Sequence, residues 1–113
     1  MLKKLTKRIL DFVNARDWSQ FHNPKDLAIS LTLEASEVLE HFQWKSPEEI
    51  KSYIKINKGE VSEELADVLY YVLLLSNVLK IDIKEALIKK IELNEKRYPV
   101  EKAKGKHTKY NKL

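Results

Sequence analysis

Two acidic pairs at helical spacing, Glu34-Ala-Ser-Glu37 and Glu64-Leu-Ala-Asp67, are the residues of this chain best placed to do chemistry. Acids three positions apart project from one side of a helix. Stepping 100° per residue, Glu34 and Glu37 fall among Leu27, Leu31, Leu33, Val38, Phe42 and Trp44, while Thr32, Ser36 and Glu40 mark the polar arc. Glu64 and Asp67 share an arc with Val68, Tyr71, Leu74, Leu75 and Val78. That stretch is apolar almost all the way round, which predicts a helix enclosed by protein. Carboxylates aimed at a core are very costly unless cations meet them, so the four acids read as a metal site. Oxygen donors without His or Cys select a hard cation, Mg²⁺ with Mn²⁺ as a substitute, rather than Zn²⁺. Mg²⁺ bridges protein carboxylates to substrate phosphates, and it polarises a phosphoryl oxygen and lowers the pKa of a bound water. The expected substrate therefore carries phosphate.

The elements that must position these acids are helices. Apolar residues at Leu2, Leu5, Ile9, Phe12 and Val13 give a first helix over residues 2–16. Arg16 to Pro24 fits neither helical nor strand periodicity and reads as an unusually aromatic loop, with Trp18, Phe21 and His22. Asn23-Pro24 is an N-cap followed by proline in the first turn, opening a second helix that runs to about Trp44. Ser46-Pro47-Glu48-Glu49 is a capping box for a short third helix, which Gly59 is expected to end. A fourth helix covers roughly residues 61–80. Asp82 and Glu85 cap a fifth, which Pro99 terminates. No stretch alternates at period two, so the expected fold is all-α, a helical bundle of four to five helices. It forms one domain over residues 1–113, with 100–113 a basic tail that is irregular or ordered only against a partner or ligand. Leu65, Leu69, Tyr70 and Leu73 lie on the side of the fourth helix away from the acids. Their apolar demand predicts a homo-oligomer, dimer or tetramer.

Composition narrows the partners. The 113 residues carry a formal net charge of +4 and no cysteine, which excludes disulfides and thiolate metal sites. Lysines interrupt the N-terminal stretch, and the run Val68 to Leu75 is far too short to span a bilayer, so a soluble, cytoplasmic protein is expected. Much of the positive excess lies late, in Lys89, Lys90, Lys96, Arg97, Lys102, Lys104, Lys106, Lys109 and Lys112. A basic segment beside an acidic centre suits a small polyanion held through metal at one end better than it suits a nucleic acid.

Several elements together resemble the all-α nucleoside triphosphate pyrophosphohydrolases of the MazG-like superfamily. The acidic pairs, the second within Glu64-Leu-Ala-Asp67-Val-Leu-Tyr-Tyr71, carry that resemblance. Arg16-Asp17-Trp18-x-x-Phe21-His22-x-Pro24, Phe42-Gln43-Trp44, Lys90-x-x-x-Asn94-x-x-Arg97-Tyr98-Pro99 and the late Lys109-Tyr110 extend it to the dCTP pyrophosphatase branch, over nearly the whole chain. The resemblance implies Mg²⁺-dependent hydrolysis of a (deoxy)nucleoside triphosphate, with dCTP or a base-modified analogue preferred, to the monophosphate and pyrophosphate. Water would attack the α-phosphorus. It further implies that Glu34, Glu37, Glu64 and Asp67 hold the metal ions and carry catalysis. Glu37 and the neighbouring Glu63 are both open as the residue that orients the water. Trp18 and Trp44 would flank the base with His22 nearby, Tyr71 would contact sugar or phosphate, and Lys90, Asn94 and Arg97 would reach the phosphates, with a neighbouring subunit as one source of them. Relatives of this branch can carry a His nine residues before the first tryptophan; here that position is Ile9, which leaves the base preference open, with dUTP or a broad range of nucleoside triphosphates as the alternative.

Blander readings stand beside each of these. An isolated Trp is more often a core residue than a stacking platform. His41 lies on the Glu34/Glu37 arc, as a structural His paired with a carboxylate or as a hydrogen-bond partner that steadies an acid. From a different class, the basic C-terminal region and pI favour a non-enzymatic helical module that binds nucleic acid, which would show steeply salt-dependent binding.

Overall fold

Capping chemistry sets the helix boundaries. The Asn23 side chain accepts a hydrogen bond from the Asp26 backbone N–H at 2.9 Å, opening α2 (Pro24–Glu40) with proline in the first turn. Ser46 Oγ accepts from the Glu49 N–H, and Glu49 Oε1 accepts from the Ser46 N–H, both at 3.2 Å; this reciprocal box opens α3 (Pro47–Val78). The two bonds from Ser46 hold the Glu49 carboxyl below its usual range. Asp82 Oδ1 accepts from the Glu85 N–H at 3.1 Å and opens α4 (Ile83–Arg97). With α1 (Leu2–Ala15) and the short α5 (Val100–Ala103), the computed structural model describes residues 1–112 in five α-helices and two 3₁₀ turns, with no strand among the described residues. The all-α expectation holds.

These residues divide into two compact units, Met1–Lys80 and the part from Ile81 onward. In the first, α2 packs along α3 and α1 lies against α3. Its buried centre is small: Val13 of α1, Leu27 of α2 and Leu74 of α3 cluster, with Ile9, Leu10, Tyr70, Tyr71, Leu75 and Val78 packed around them. In the second, Arg97 stacks over the Tyr110 ring at 4.4 Å and Tyr98 meets the same ring edge-on at 6.2 Å. That aromatic clasp returns the chain end to the end of α4. The tail expected to be irregular is therefore partly ordered within its own unit, as α5 and a 3₁₀ turn at Tyr110–Lys112.

Three expectations need correction. Gly59 does not end a helix: α3 runs 32 residues through it and bends at Asn57, whose φ/ψ of −111°/16° leaves the helical region. The Asn57 side-chain amide donates to the Tyr53 carbonyl at 3.1 Å, drawing that acceptor out of the backbone ladder, a known source of kinks. The second helix stops at Glu40, not Trp44, because residues 41–44 form a turn that closes with Trp44 in the left-handed region at φ 66°. The helix carrying Glu64 and Asp67 is not enclosed within this chain, since Leu65 and Leu69 are about half exposed. Leu73, by contrast, is buried inside the same chain and Tyr70 packs on its core, so only part of the expected oligomer face is free.

A methyl group at Gly59 would meet nothing within 4 Å, and the residue is helical. Gly59→Ala is expected to stabilise the protein by about 0.4–1 kcal/mol through lower backbone entropy of the unfolded chain, read as an upward shift in the denaturant midpoint.

Candidate active site

The packing of α2 along α3 brings the two acidic pairs to one place. Glu34 has its carboxyl pushed above the usual range, first by burial, then by a hydrogen bond with Glu37 and by the charges of Glu37, Asp67 and Glu64. All four acids therefore act on a single point in the first unit. Glu34, Glu37 and Glu64 are half-buried and Asp67 is exposed. Glu34 Oε2 and Glu64 Oε2 are buried without a hydrogen-bond partner. An unpartnered carboxylate oxygen out of reach of water is destabilising by itself, so Glu34 Oε2 marks where a cation would fit, while Glu64 Oε2 faces His41.

The donor set matches a hard divalent cation, because every candidate ligand in the cluster is a carboxylate oxygen. Among the described residues no three acidic or histidine side chains converge as they stand into a coordination set. Ligation would require the carboxylates to turn toward one another, which mutual repulsion opposes until a cation is present.

His41 reaches this cluster from the turn after α2. Its Nε2 faces Glu64 Oε2 and its Nδ1 meets the Tyr53 hydroxyl. Both readings of His41 have it meet a carboxylate, and the one it faces is Glu64 of α3 rather than Glu34 or Glu37 of its own arc; nothing in the spacing of Tyr53 ties it to position 41.

The aromatic candidates have different surroundings. Trp44 is 91% exposed and holds a left-handed backbone, an unusual conformation for a bulky residue. It is not a core aromatic within this chain, and a strained, solvent-facing indole is a common mark of a binding position. Trp18 is 43% exposed and meets Phe12 edge-on at 5.6 Å; Arg16 caps the other partner, 3.9 Å above the Phe12 ring. His22 is half-buried at the end of the 3₁₀ turn Ser19–Phe21. Tyr71 packs against the core cluster and edge-on to Tyr70 at 5.1 Å. Leu5, Arg8, Ile9, Phe12 and Tyr70 line a cleft of about 280 Å³, to which none of the four acids contributes. Ile9, the position that departs from the dCTP pyrophosphatase pattern, lies in its wall.

In the second unit Lys90, Asn94 and Arg97 fall on one stripe of α4 at i, i+4 and i+7. Lys90 and Asn94 are exposed, whereas the Arg97 guanidinium is stacked on Tyr110. No helix among the described residues is long and apolar enough to cross a membrane.

Known proteins share this sequence and arrangement. The model of the MazG-like family matches residues 29–113, which include both acidic pairs. dCTP pyrophosphatase 1 of Mus musculus is 36% identical over 99% of this chain and 67% of its own length, and that of Homo sapiens is 33% identical over the same shares. The crystal structure of a pyrophosphatase from Archaeoglobus fulgidus superposes with a TM-score of 0.81 at 43% identity, covering 86% of this chain and 91% of that one.

Glu34 gives the cluster a pH signature. In the metal-free protein the folded state keeps this proton to higher pH than the unfolded chain does. Its contribution to stability is thus full below the ordinary carboxylate range and is lost as pH rises through the raised value. Glu34→Gln removes the dependence. In EDTA the variant is expected to melt above wild type at neutral pH, with the two curves converging in acid; thermal scans across pH check this.

Proposed function

The chain belongs to the MazG-like family, and from that premise we propose that it hydrolyses a pyrimidine deoxynucleoside triphosphate, dCTP or a base-modified analogue, to the monophosphate and pyrophosphate with Mg²⁺. It is a nucleoside triphosphate pyrophosphatase, as its curated relatives and its structural neighbour are pyrophosphatases. The observation that carries the metal is the crowding of Glu34 by Glu37, Asp67 and Glu64, with the buried Glu34 Oε2 left unpartnered. Glu34, Glu37, Glu64 and Asp67 would hold the cation. When bound it would offset triphosphate charge and acidify a water for attack on the α-phosphorus.

The remaining roles fall to side chains of the chain itself. Trp44 offers an exposed indole face for the base, and Trp18 a second, partly committed to Phe12. Lys90 and Asn94 are exposed to meet phosphate oxygens, and Arg97, its face on the Tyr110 ring, keeps its hydrogen-bonding edge for the same task. The preference for cytosine rests on the names of the relatives; Ile9 in the wall of a cleft is the residue that would shift it. The role such a reaction serves is sanitation of the cytoplasmic nucleotide pool.

Pyrophosphate release is the decisive assay, over a panel of common and base-modified deoxynucleotides with and without EDTA. Activity is expected only with Mg²⁺ or Mn²⁺, and highest on dCTP or its analogues. Glu64→Gln and Asp67→Asn should each lower kcat by at least about a hundredfold, since a metal contributes several kcal/mol to the barrier. Trp44→Ala should raise KM about tenfold and change kcat less, in keeping with the loss of one stacking partner. Metal-independent hydrolysis would remove the cation from the mechanism.

The free apolar face supports self-association. Leu65 and Leu69 on α3, with Ile29, Leu33 and Leu39 on α2, are about half exposed or more, apolar surface that association would cover. A homodimer or homotetramer is expected by light scattering, and Leu69→Glu should shift it toward monomer.

A further inference from the structure

His41 occupies a position that neither the family match nor the names of the relatives assign. Its side chain is only 10% exposed, and its two ring nitrogens have different partners. Nδ1 meets the Tyr53 hydroxyl; Nε2 faces Glu64 Oε2. Tyr53 is itself fixed from three sides. Its ring lies 5.6 Å from the imidazole centroid, the Lys45 ammonium sits 4.4 Å from the ring centre, and its carbonyl accepts the Asn57 amide at the bend of α3. Tyr53 and Glu64 thus stand on opposite sides of that bend, and His41 spans the gap between them.

The chemistry of the three groups fixes the direction of the bonds. A carboxylate can only accept, so a neutral imidazole carries its single proton on Nε2, aimed at Glu64, and Nδ1 accepts from the Tyr53 hydroxyl. Neither partner requires His41 to be charged. A carboxylate that ligates a metal through one oxygen is oriented and kept basic by a donor on the other, and removal of such donors typically weakens a site.

We infer that His41, held by Tyr53, is a positioning residue that orients the Glu64 carboxylate for divalent cation. The inference rests on the metal reading of the acidic cluster and adds to it a residue from outside the two acidic motifs.

Titration of the full-length protein with Mn²⁺, read by the loss of the free-ion electron paramagnetic resonance signal, tests this without turnover. His41→Leu keeps the volume and removes both polar atoms; it is expected to raise the Mn²⁺ dissociation constant about tenfold to a hundredfold. Tyr53→Phe removes one hydrogen bond and should raise it about fivefold. His41→Gln, whose amide can still donate to Glu64, should recover most of the loss. In the steady state, the Mg²⁺ concentration for half activation should rise in the same order while KM for nucleotide at saturating Mg²⁺ stays put. A merely structural histidine would lower the melting temperature and leave Mn²⁺ affinity unchanged. Affinities within twofold of wild type in His41→Leu and Tyr53→Phe overturn the positioning role and leave the metal site standing. Absence of Mn²⁺ binding by wild type, with no change in Glu64→Gln, overturns the metal site and the inference with it.

Discussion

Like charge brought together out of water is the constraint to which the first unit is built. Glu34 lies among three other acids, and burial is the larger part of what raises its carboxyl. Among the described residues no lysine or arginine offsets that arrangement: the one lysine–carboxylate pair is Lys7 with Asp11 on the surface of α1, at 3.1 Å, and His41 faces Glu64. A chain with more lysines and arginines than acids thus leaves this cluster without an ammonium or guanidinium, which is what the cation site proposed above would need.

The helices and their caps were legible because their signals are local. Asn23, Ser46 and Asp82 each declare a start through a bond to a backbone N–H three residues on, and each does so here. The acidic pairs were legible for a related reason, since a 3.6-residue period fixes which side of a helix a residue occupies. Their meeting in space required only that the two apolar arcs pack together. The stop at Gly59 was misjudged because glycine weakens a helix by about 1 kcal/mol without ending it, and the bend comes instead from a side-chain bond at Asn57 that no periodicity announces. The enclosure of the 61–80 helix was overstated for a different reason: an all-round apolar sequence reports burial in an assembly as readily as burial in one chain.

Trp44 and His41 show how one turn can place two very different side chains. The turn over residues 41–44 replaces what would have been the last turn of α2. Stopping the helix at Glu40 frees His41 to reach back over α3, and the left-handed φ at Trp44 throws the indole outward into solvent. A residue of that size in that conformation is disfavoured by about 1–2 kcal/mol relative to a regular helix. In the reading proposed above, a nucleobase stacked on that exposed face would offset the cost.

The second unit extends the same logic to the opposite charge. Lys90, Asn94 and Arg97 form a polar stripe on α4, and the clasp of Tyr98, Arg97 and Tyr110 fixes one end of that stripe while leaving the other exposed. A guanidinium stacked on a phenol ring keeps its hydrogen-bonding edge available even as its face is covered, so the clasp orients Arg97 without consuming it. In the reading proposed above, such a stripe would offer the phosphate oxygens donors held at fixed spacing along one helix, a preorganised arrangement that needs no rearrangement as charge develops.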